Sequence, residues 1–300
     1  MIKELAPAKL NLTLEVLGKR PDGWHEVRSI TQTIDLADEL VLEPGPKLQL
    51  IIDPSPLPPW DGLRAAEIRP EDNLAYRAAL LLQDIFKPGQ GVIIHLKKYI
   101  PSASGLGGGS SDAAAALRGL NWLWKLGLGW AELSQLGARL GADVPLFLYG
   151  GTCLVEGLGE RVTPLPPLPP HWTVLFLPPL VIPEKTRTLY SHLKPSHHTR
   201  GEATHALKQA LLERNVSRLE TWNVFDLVAG EVYPDFEGYR EAMRAAGASP
   251  QLAGSGPTLF SLFEDERAAQ EVFKRLRKAS GWVKLARTLN GYPAELPPSM

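Results

Sequence analysis

The stretch IPSASGLGGGSSDAAAAL, residues 100–117, decides how the chain is read. It holds four glycines and four serines within the eleven positions from Ser102 to Asp112, then turns into a run of alanines. Glycine is roughly 0.5–1 kcal/mol less favourable than alanine in regular structure, so this density directly before a helix needs a reason. The stretch lies between a strand signal, GVIIHLKKYIP (91–101), and a helical signal, SSDAAAALRGLNWLW (110–124), which opens on good N-cap residues. The first turn of a helix presents unpaired N–H groups and a partial positive charge, which makes it a natural anion site. Glycines let the backbone come close to such an anion, and Ser110 and Ser111 add hydroxyl donors. A P-loop would require a lysine after the glycines, and none follows. The dinucleotide fingerprint finds Gly105 and Gly107 but meets serine at 110, and it stands too far along the chain for a first βα turn. What remains is a backbone phosphate cradle without a lysine of its own; the plain alternative is a tight turn with an N-cap.

The totals set limits around this reading. The chain has 300 residues, suited to two domains of common size, with 32 Lys plus Arg against 33 Asp plus Glu. That balance argues against a general nucleic-acid binder. A single cysteine, Cys153, allows neither an intrachain disulfide nor a cysteine zinc cluster, and it points to a reducing, cytoplasmic setting. Lys3, Glu4 and Lys9 interrupt any apolar signal-peptide core, and no stretch of about 20 apolar residues suits a membrane span.

Outward from the loop, KLNLTLEVLG (9–18) alternates cleanly. Leu10, Leu12, Leu14 and Val16 point one way, and Lys9, Asn11, Thr13 and Glu15 the other, which predicts a strand with one buried face. EDNLAYRAALLLQDIF (71–86) predicts a helix with Leu74, Ala78, Leu81 and Ile85 on its apolar side. WAELSQLGARLGADVPLFL (130–148) reads as a helix stopped at Gly141, then a short apolar strand or turn. The proline-rich VTPLPPLPPHW (162–172) is a candidate boundary, giving domains 1–163 and 164–300. Beyond it come a strand at TVLFLPP, helices near 202–219 and 235–246, and a strand, helix and strand over 257–289. The class is mixed α and β, with a frayed tail over 291–300.

Three segments in order resemble the motifs of the GHMP kinases: APAKLNLTLEV near the start, PSASGLGGGSSDAA, and LAGSGPTLFSLF near the end. Together they span residues 6 to 263. PAKLNLTLEVLGKRPDGWHEVRSI, EDNLAYRAA, the triple glycine and LGADVPLFL are similar to the branch of that family whose substrate is a cytidine-diphosphate-linked methylerythritol. The resemblance implies an α+β fold of two domains, the first like ribosomal protein S5 and the second ferredoxin-like, with the site in a cleft between them. It implies phosphorylation of the 2-hydroxyl of that substrate for isoprenoid synthesis, with ATP and Mg²⁺. The partners are then small molecules, with no nucleic acid and no membrane, in a monomer or weak homodimer.

Residue by residue, Lys9 and Asp143 match the family's catalytic pair. A carboxylate can take the attacking hydroxyl's proton, and a lysine beside it can orient it and stabilise developing negative charge; phosphoryl transfer asks for little else than positioning and charge. For ATP the resemblance assigns Leu14, Asn73, Lys98, Pro101, Gly105, Leu106, Gly107, Gly108, Gly109, Ser110 and Ser111. For the substrate it assigns Asn11, Trp24, where tyrosine is usual, His25, and, with a two-residue insertion, Thr186 and Tyr190. Gly254, Ser255 and Gly256 match the third glycine motif. No protein metal ligand is assigned; Asp112 faces either Mg²⁺ or solvent. WNVFDLV (222–228) departs from the family pattern at Val224 and Asp226, and His197 with His198 reads as surface. The competing readings are another kinase of the family, such as a homoserine kinase, and a non-catalytic relative, which would often have lost the lysine or the carboxylate.

Overall fold

Two long strands set the frame of the computed structural model, which describes residues 1–53, 57, 69–180, 182–216 and 219–291. Strand β1 (Ile2–Lys19) and strand β2 (His25–Gly45) run antiparallel, from the pair Ile2 and Leu42 to the pair Lys19 and His25. The outer edge of β2 is shared. Its first part pairs with β5 (Thr152–Gly157), which carries β6 (Arg161–Pro164). Its last part pairs with β4 (Gly91–Lys97), which carries β3 (Gln49–Asp53) in parallel. Between them, Thr33 to Asp38 pairs with neither strand. The chain leaving β4 comes back to this gap: the amides of Tyr99 and Ile100 donate to the Asp38 carboxylate.

Helices α1 (Leu74–Phe86), α2 (Gly108–Leu123), α3 (Trp130–Leu140) and α4 (Val144–Tyr149) share a core with this sheet. The run Ala113 to Ala116 is fully buried there, because small side chains let α2 lie close to its neighbours. The same closeness shifts the inner face of α1. Ala75, Ala78, Ala79 and Leu82 are buried, whereas Ile85 is exposed, so only Ala78 of the expected face is fully inside. The apolar VPLFL segment is a helix, not a strand or turn; Pro145 occupies its first turn, where a missing N–H is harmless.

The second sheet has the order β11 (Trp282–Arg287), β7 (Trp172–Leu177), β10 (Leu259–Phe263), β9 (Gln251–Leu252), all antiparallel. Around it lie α5 (Lys185–His192), α6 (Glu202–Leu212), α7 (Ala229–Val232), α8 (Phe236–Ala245) and α9 (Glu266–Leu276). Helix α6 is shorter than the expected 202–219. The chain passes from the first sheet to the second through the proline-rich run after β6, yet β8 (Trp222–Asn223) returns to pair in parallel with β1. The architecture is α+β in two domains. The expected tail lies, beyond residue 291, outside the described residues. No described helix is long and apolar enough to cross a membrane.

Strand β1 departs from the one-faced expectation. Ala8, Leu10, Ile34, Leu36, Leu175, Ala253 and Phe260 form one apolar cluster where the two sheets meet. The polar face is also covered: Lys9, Asn11, Thr13 and Glu15 are all buried. Each of them has a partner. Glu15 accepts from the amides of Ala203 and Thr204 at the start of α6, placing a carboxylate at the positive end of that helix. Thr13 meets Thr204, and Asn11 donates to Ser29. The polar face of β1 is thus buried and hydrogen-bonded rather than solvated.

Candidate active site

The glycine loop takes its shape from its neighbours. Gly107 is the N-cap of α2 with φ of 78°, and the first helical bond runs from Ser111 N–H to Gly107 O at 3.0 Å. Gly105 has φ of 89°. A Cβ on Gly105 would stand 2.2 Å from Ala253 O and 2.9 Å from Gly256 N; one on Gly107 would stand 2.6 Å from the Phe147 ring. These two glycines are therefore required by the protein's own packing, in particular by the seat of the loop on the third glycine motif. Gly109 is the open one, with only Leu74 within 4 Å at 3.8 Å. We expect Gly105→Ala to lower stability by about 2–4 kcal/mol through left-handed strain and a clash with backbone. Urea unfolding measures this, and a stability within about 0.5 kcal/mol of the parent would contradict the packing described.

The loop borders a cleft of ≈ 320 Å³. Asn73, Lys98, Pro101, Gly105, Gly107, Gly108, Gly109 and Ser110 line it, as does Asp112. Asn73 also caps α1, its side chain accepting from the amides of Ala75 and Tyr76. Three residues assigned to ATP do not reach the cleft. Leu106 is fully buried where the sheets meet, Ser111 is fully buried in the first turn of α2, and Leu14 packs with Val16 and Val27 in the core of the second domain. The strand alternation accounts for Leu14, which sits on the apolar face of β1.

Lys98 is not a solvated strand-end lysine. Its ammonium bonds both Asp38 and Asp112, the latter at 2.6 Å, and all three side chains are buried. Burial alone would push the Lys98 ammonium down; the charges of Asp112 and Asp38 overcome it and hold it above the ordinary lysine value. Burial, helped by the charge of Asp38, lifts the Asp112 carboxyl to about 8 against the pull of Lys98. Asp112 therefore faces Lys98 rather than solvent, and its charge is muted next to the phosphate loop.

Lys9 reaches the glycine loop from β1, its Cγ 3.2 Å from where a Cβ on Gly107 would stand. Its amide donates to Leu106 O at 2.9 Å, and its ammonium donates to Asn11 Oδ1 at 2.6 Å. Burial lowers its pKa, and the charge of Asp143 is what opposes that. Asp143 precedes α4 as its N-cap, but its side chain makes no capping bond and stays available. The third motif closes the ring: a Cβ on Gly254 would lie 3.0 Å from Lys9 Nζ, 3.1 Å from Gly105 O and 3.2 Å from Asn11 Oδ1. Asn223 holds this turn by donating to Leu252 O and Gly254 O, each at 2.8 Å. Its neighbour Asp226 is committed to Arg240.

His25 and Tyr190 come together although 165 positions separate them in the sequence. Their rings stack at 4.7 Å with an interplanar angle of 21°. Burial, then the charges of His198 and Lys19, lowers the His25 pKa, so the imidazole is neutral at physiological pH. His198 lies edge-on to His25 at 6.3 Å, so it is not the plain surface residue expected. Trp24 is 66% exposed at the turn and does not stack with them. Thr186 meets the Ser255 hydroxyl at 2.8 Å. Sequence reasoning missed Asp38, which lies 60 positions from Lys98, and Lys185, which binds the third motif; only its place beside Thr186 could have pointed to it.

Comparison with known proteins places the chain among its relatives. Residues 73–151 match the family model for the GHMP kinases N terminal domain, and residues 203–280 match that for the GHMP kinases C terminal. A 4-diphosphocytidyl-2-C-methyl-D-erythritol kinase of Geobacillus thermodenitrificans is 44% identical over 95% of this chain and 96% of that protein. One of Dehalococcoides mccartyi is 41% identical over 96% of this chain and 99% of that protein. The crystal structure of a 4-(cytidine 5'-diphospho)-2C-methyl-D-erythritol kinase superposes with a TM-score of 0.79 at 35% identity, covering 97% of this chain and all of the other. The chain belongs to the GHMP kinase family, in the branch whose curated members are the 4-diphosphocytidyl-2-C-methyl-D-erythritol kinases.

Proposed function

We propose that this site transfers the γ-phosphoryl group of ATP to the 2-hydroxyl of 4-diphosphocytidyl-2-C-methyl-D-erythritol. The observation that carries the reading is the convergence of the glycine loop, Lys9, Asn11 and the third glycine motif on one point, within charge range of Asp143. Asp143 takes the hydroxyl proton as the hydroxyl oxygen bonds to the γ-phosphorus and the bond to ADP breaks. Lys9, whose ammonium is already desolvated, stabilises charge on the transferring group; a buried cation does this more strongly than a hydrated one. Amides of the first turn of α2 and the Ser110 hydroxyl hold the phosphates. Asp112, which lines the cleft, has its Oδ1 buried without a hydrogen-bond partner, which fits a further polar ligand at the loop. Among the described residues no group of three metal-ligating side chains exists. Mg²⁺ would be held chiefly by the nucleotide's phosphates, with Asp112, which lines the same cleft, as the candidate protein oxygen. When bound it supplies charge neutralisation on those phosphates. ATP-dependent chemistry and one buried cysteine, whose thiol burial pushes up to about 12, fit a cytoplasmic enzyme.

The cytosine end is assigned to His25 and Tyr190. A neutral imidazole can both donate to and accept from a base edge, and the Tyr190 ring offers a stacking face. Tyr190→Ala should raise KM for the cytidine substrate roughly tenfold or more, as expected for loss of a base stack, and leave KM for ATP unchanged. Equal values for parent and variant with both substrates would remove Tyr190 from the cytidine site.

A further inference from the structure

The third glycine motif holds a second ammonium that the mechanism above does not use. Lys185, the first residue of α5, donates to Ser255 Oγ at 2.9 Å, to Ser255 O at 3.3 Å and to Gly256 O. The residue is partly exposed along its length, while its charged end is packed within protein. All three partners are neutral. Among the described residues neither Lys185 nor Lys9 has a carboxylate within ion-pair distance. Two buried lysine side chains thus stand at one glycine turn, close enough for the charge of Lys9 to disfavour the charged form of Lys185. Such an arrangement is unfavourable in an empty site and becomes favourable when an anion arrives.

We propose that Lys185 is a further phosphate-binding residue of the reaction, its ammonium giving up the long bond to Ser255 O for a phosphoryl oxygen of the bound nucleotide or of the substrate diphosphate. The inference rests on the kinase reading given above. Its location supports the role: the hydroxyl of Ser255, which Lys185 holds, also meets Thr186, and Tyr190 lies on the same helix.

The charge surroundings give the proposal a pH signature. Burial, with the repulsion of Lys9 second, brings the Lys185 ammonium down to about 7. The other groups around it are Asp143, whose charge acts on Lys9 and on Tyr190, the exposed pair Glu184 and Arg187 at the start of its own helix, and the phenol of Tyr233, which donates to Ser255 O. In the free enzyme at pH 8 Lys185 is then mostly neutral. An anion favours the charged form, so binding takes up a proton, and affinity falls as pH rises above 7.

Calorimetric titration at pH 8, in two buffers of different ionisation enthalpy, tests this with a non-hydrolysable ATP analogue and with the cytidine substrate in separate arms. The arm that shows the uptake identifies the source of the phosphate. Asp112 titrates in the same range, so the difference between parent and variant is the reading. The parent should take up a large part of one proton. Lys185→Met should bind roughly 10- to 100-fold more weakly, as for loss of a charged hydrogen bond, with that uptake gone. Lys185→Arg should recover most of the affinity without the uptake, because arginine stays protonated. A residue that merely pins the turn would alter melting temperature and leave the uptake in place. Unchanged proton uptake in Lys185→Arg, or unchanged affinity in both arms for Lys185→Met, overturns the proposal. If the parent releases no ADP with any hydroxyl substrate, the kinase reading fails by itself, and the uptake remains measurable with pyrophosphate as probe.

Discussion

Asp143→Asn is expected to lower turnover by roughly 10²–10⁴-fold, the range for removal of a general base, while the protein keeps its fold. Asparagine has the same shape, and the Asp143 side chain makes no capping bond to α4, so little of the structure leans on its charge. The chemistry does lean on it. The amide cannot accept the hydroxyl proton, and Lys9 loses the one charge that opposes the effect of its burial. The Lys9 ammonium should then titrate at still lower pH, so residual activity should fall off earlier as pH rises. Turnover from ADP release, with a thermal melt as control, separates these effects. Near-normal turnover in a folded variant would remove Asp143 from proton transfer.

The largest expected loss of stability is at Lys98. Lys98→Met leaves Asp38 and Asp112 facing each other, both buried, without the cation that bridges them. Breaking a buried ion pair from one side costs about 3–5 kcal/mol, because the remaining charge is uncompensated. Asp38 retains the amides of Tyr99 and Ile100, whereas Asp112 Oδ1 has no partner already. The double variant Lys98→Met with Asp112→Asn should therefore recover a measurable part of the loss. Denaturant unfolding of parent, both single variants and the double variant gives the coupling. Additive losses would mean that Lys98 and Asp112 do not depend on each other.

The order of strands and helices was largely legible, because periodicity and turn residues are local signals. The errors have physical causes. The polar face of β1 read as solvated because Lys9, Asn11, Thr13 and Glu15 are polar residues, yet the second domain and the helices cover it. The face of α1 was misplaced because hydrophobicity favours Leu81 and Ile85, whereas close approach to α2 favours alanines. VPLFL is apolar throughout, so periodicity could not tell strand from helix. At the site, the glycine loop could be located from sequence, but the reason for its glycines could not. The clashes that forbid a side chain at Gly105 come from Ala253 and Gly256, about 150 positions away. The family resemblance singled out Lys9, Lys98 and Asp143, but not the bridge from Lys98 to Asp38. Lys185 carried no local signal beyond its place beside Thr186, since its partners are backbone carbonyls and a hydroxyl in a distant turn.

The most direct test of the central claim is an ADP-release assay on the intact chain with ATP and Mg²⁺. It compares 4-diphosphocytidyl-2-C-methyl-D-erythritol with homoserine and mevalonate at equal concentration. The account predicts rapid ADP formation with the cytidine compound and background rates with the other two. Comparable rates with homoserine or mevalonate, or none with the cytidine compound, would contradict it.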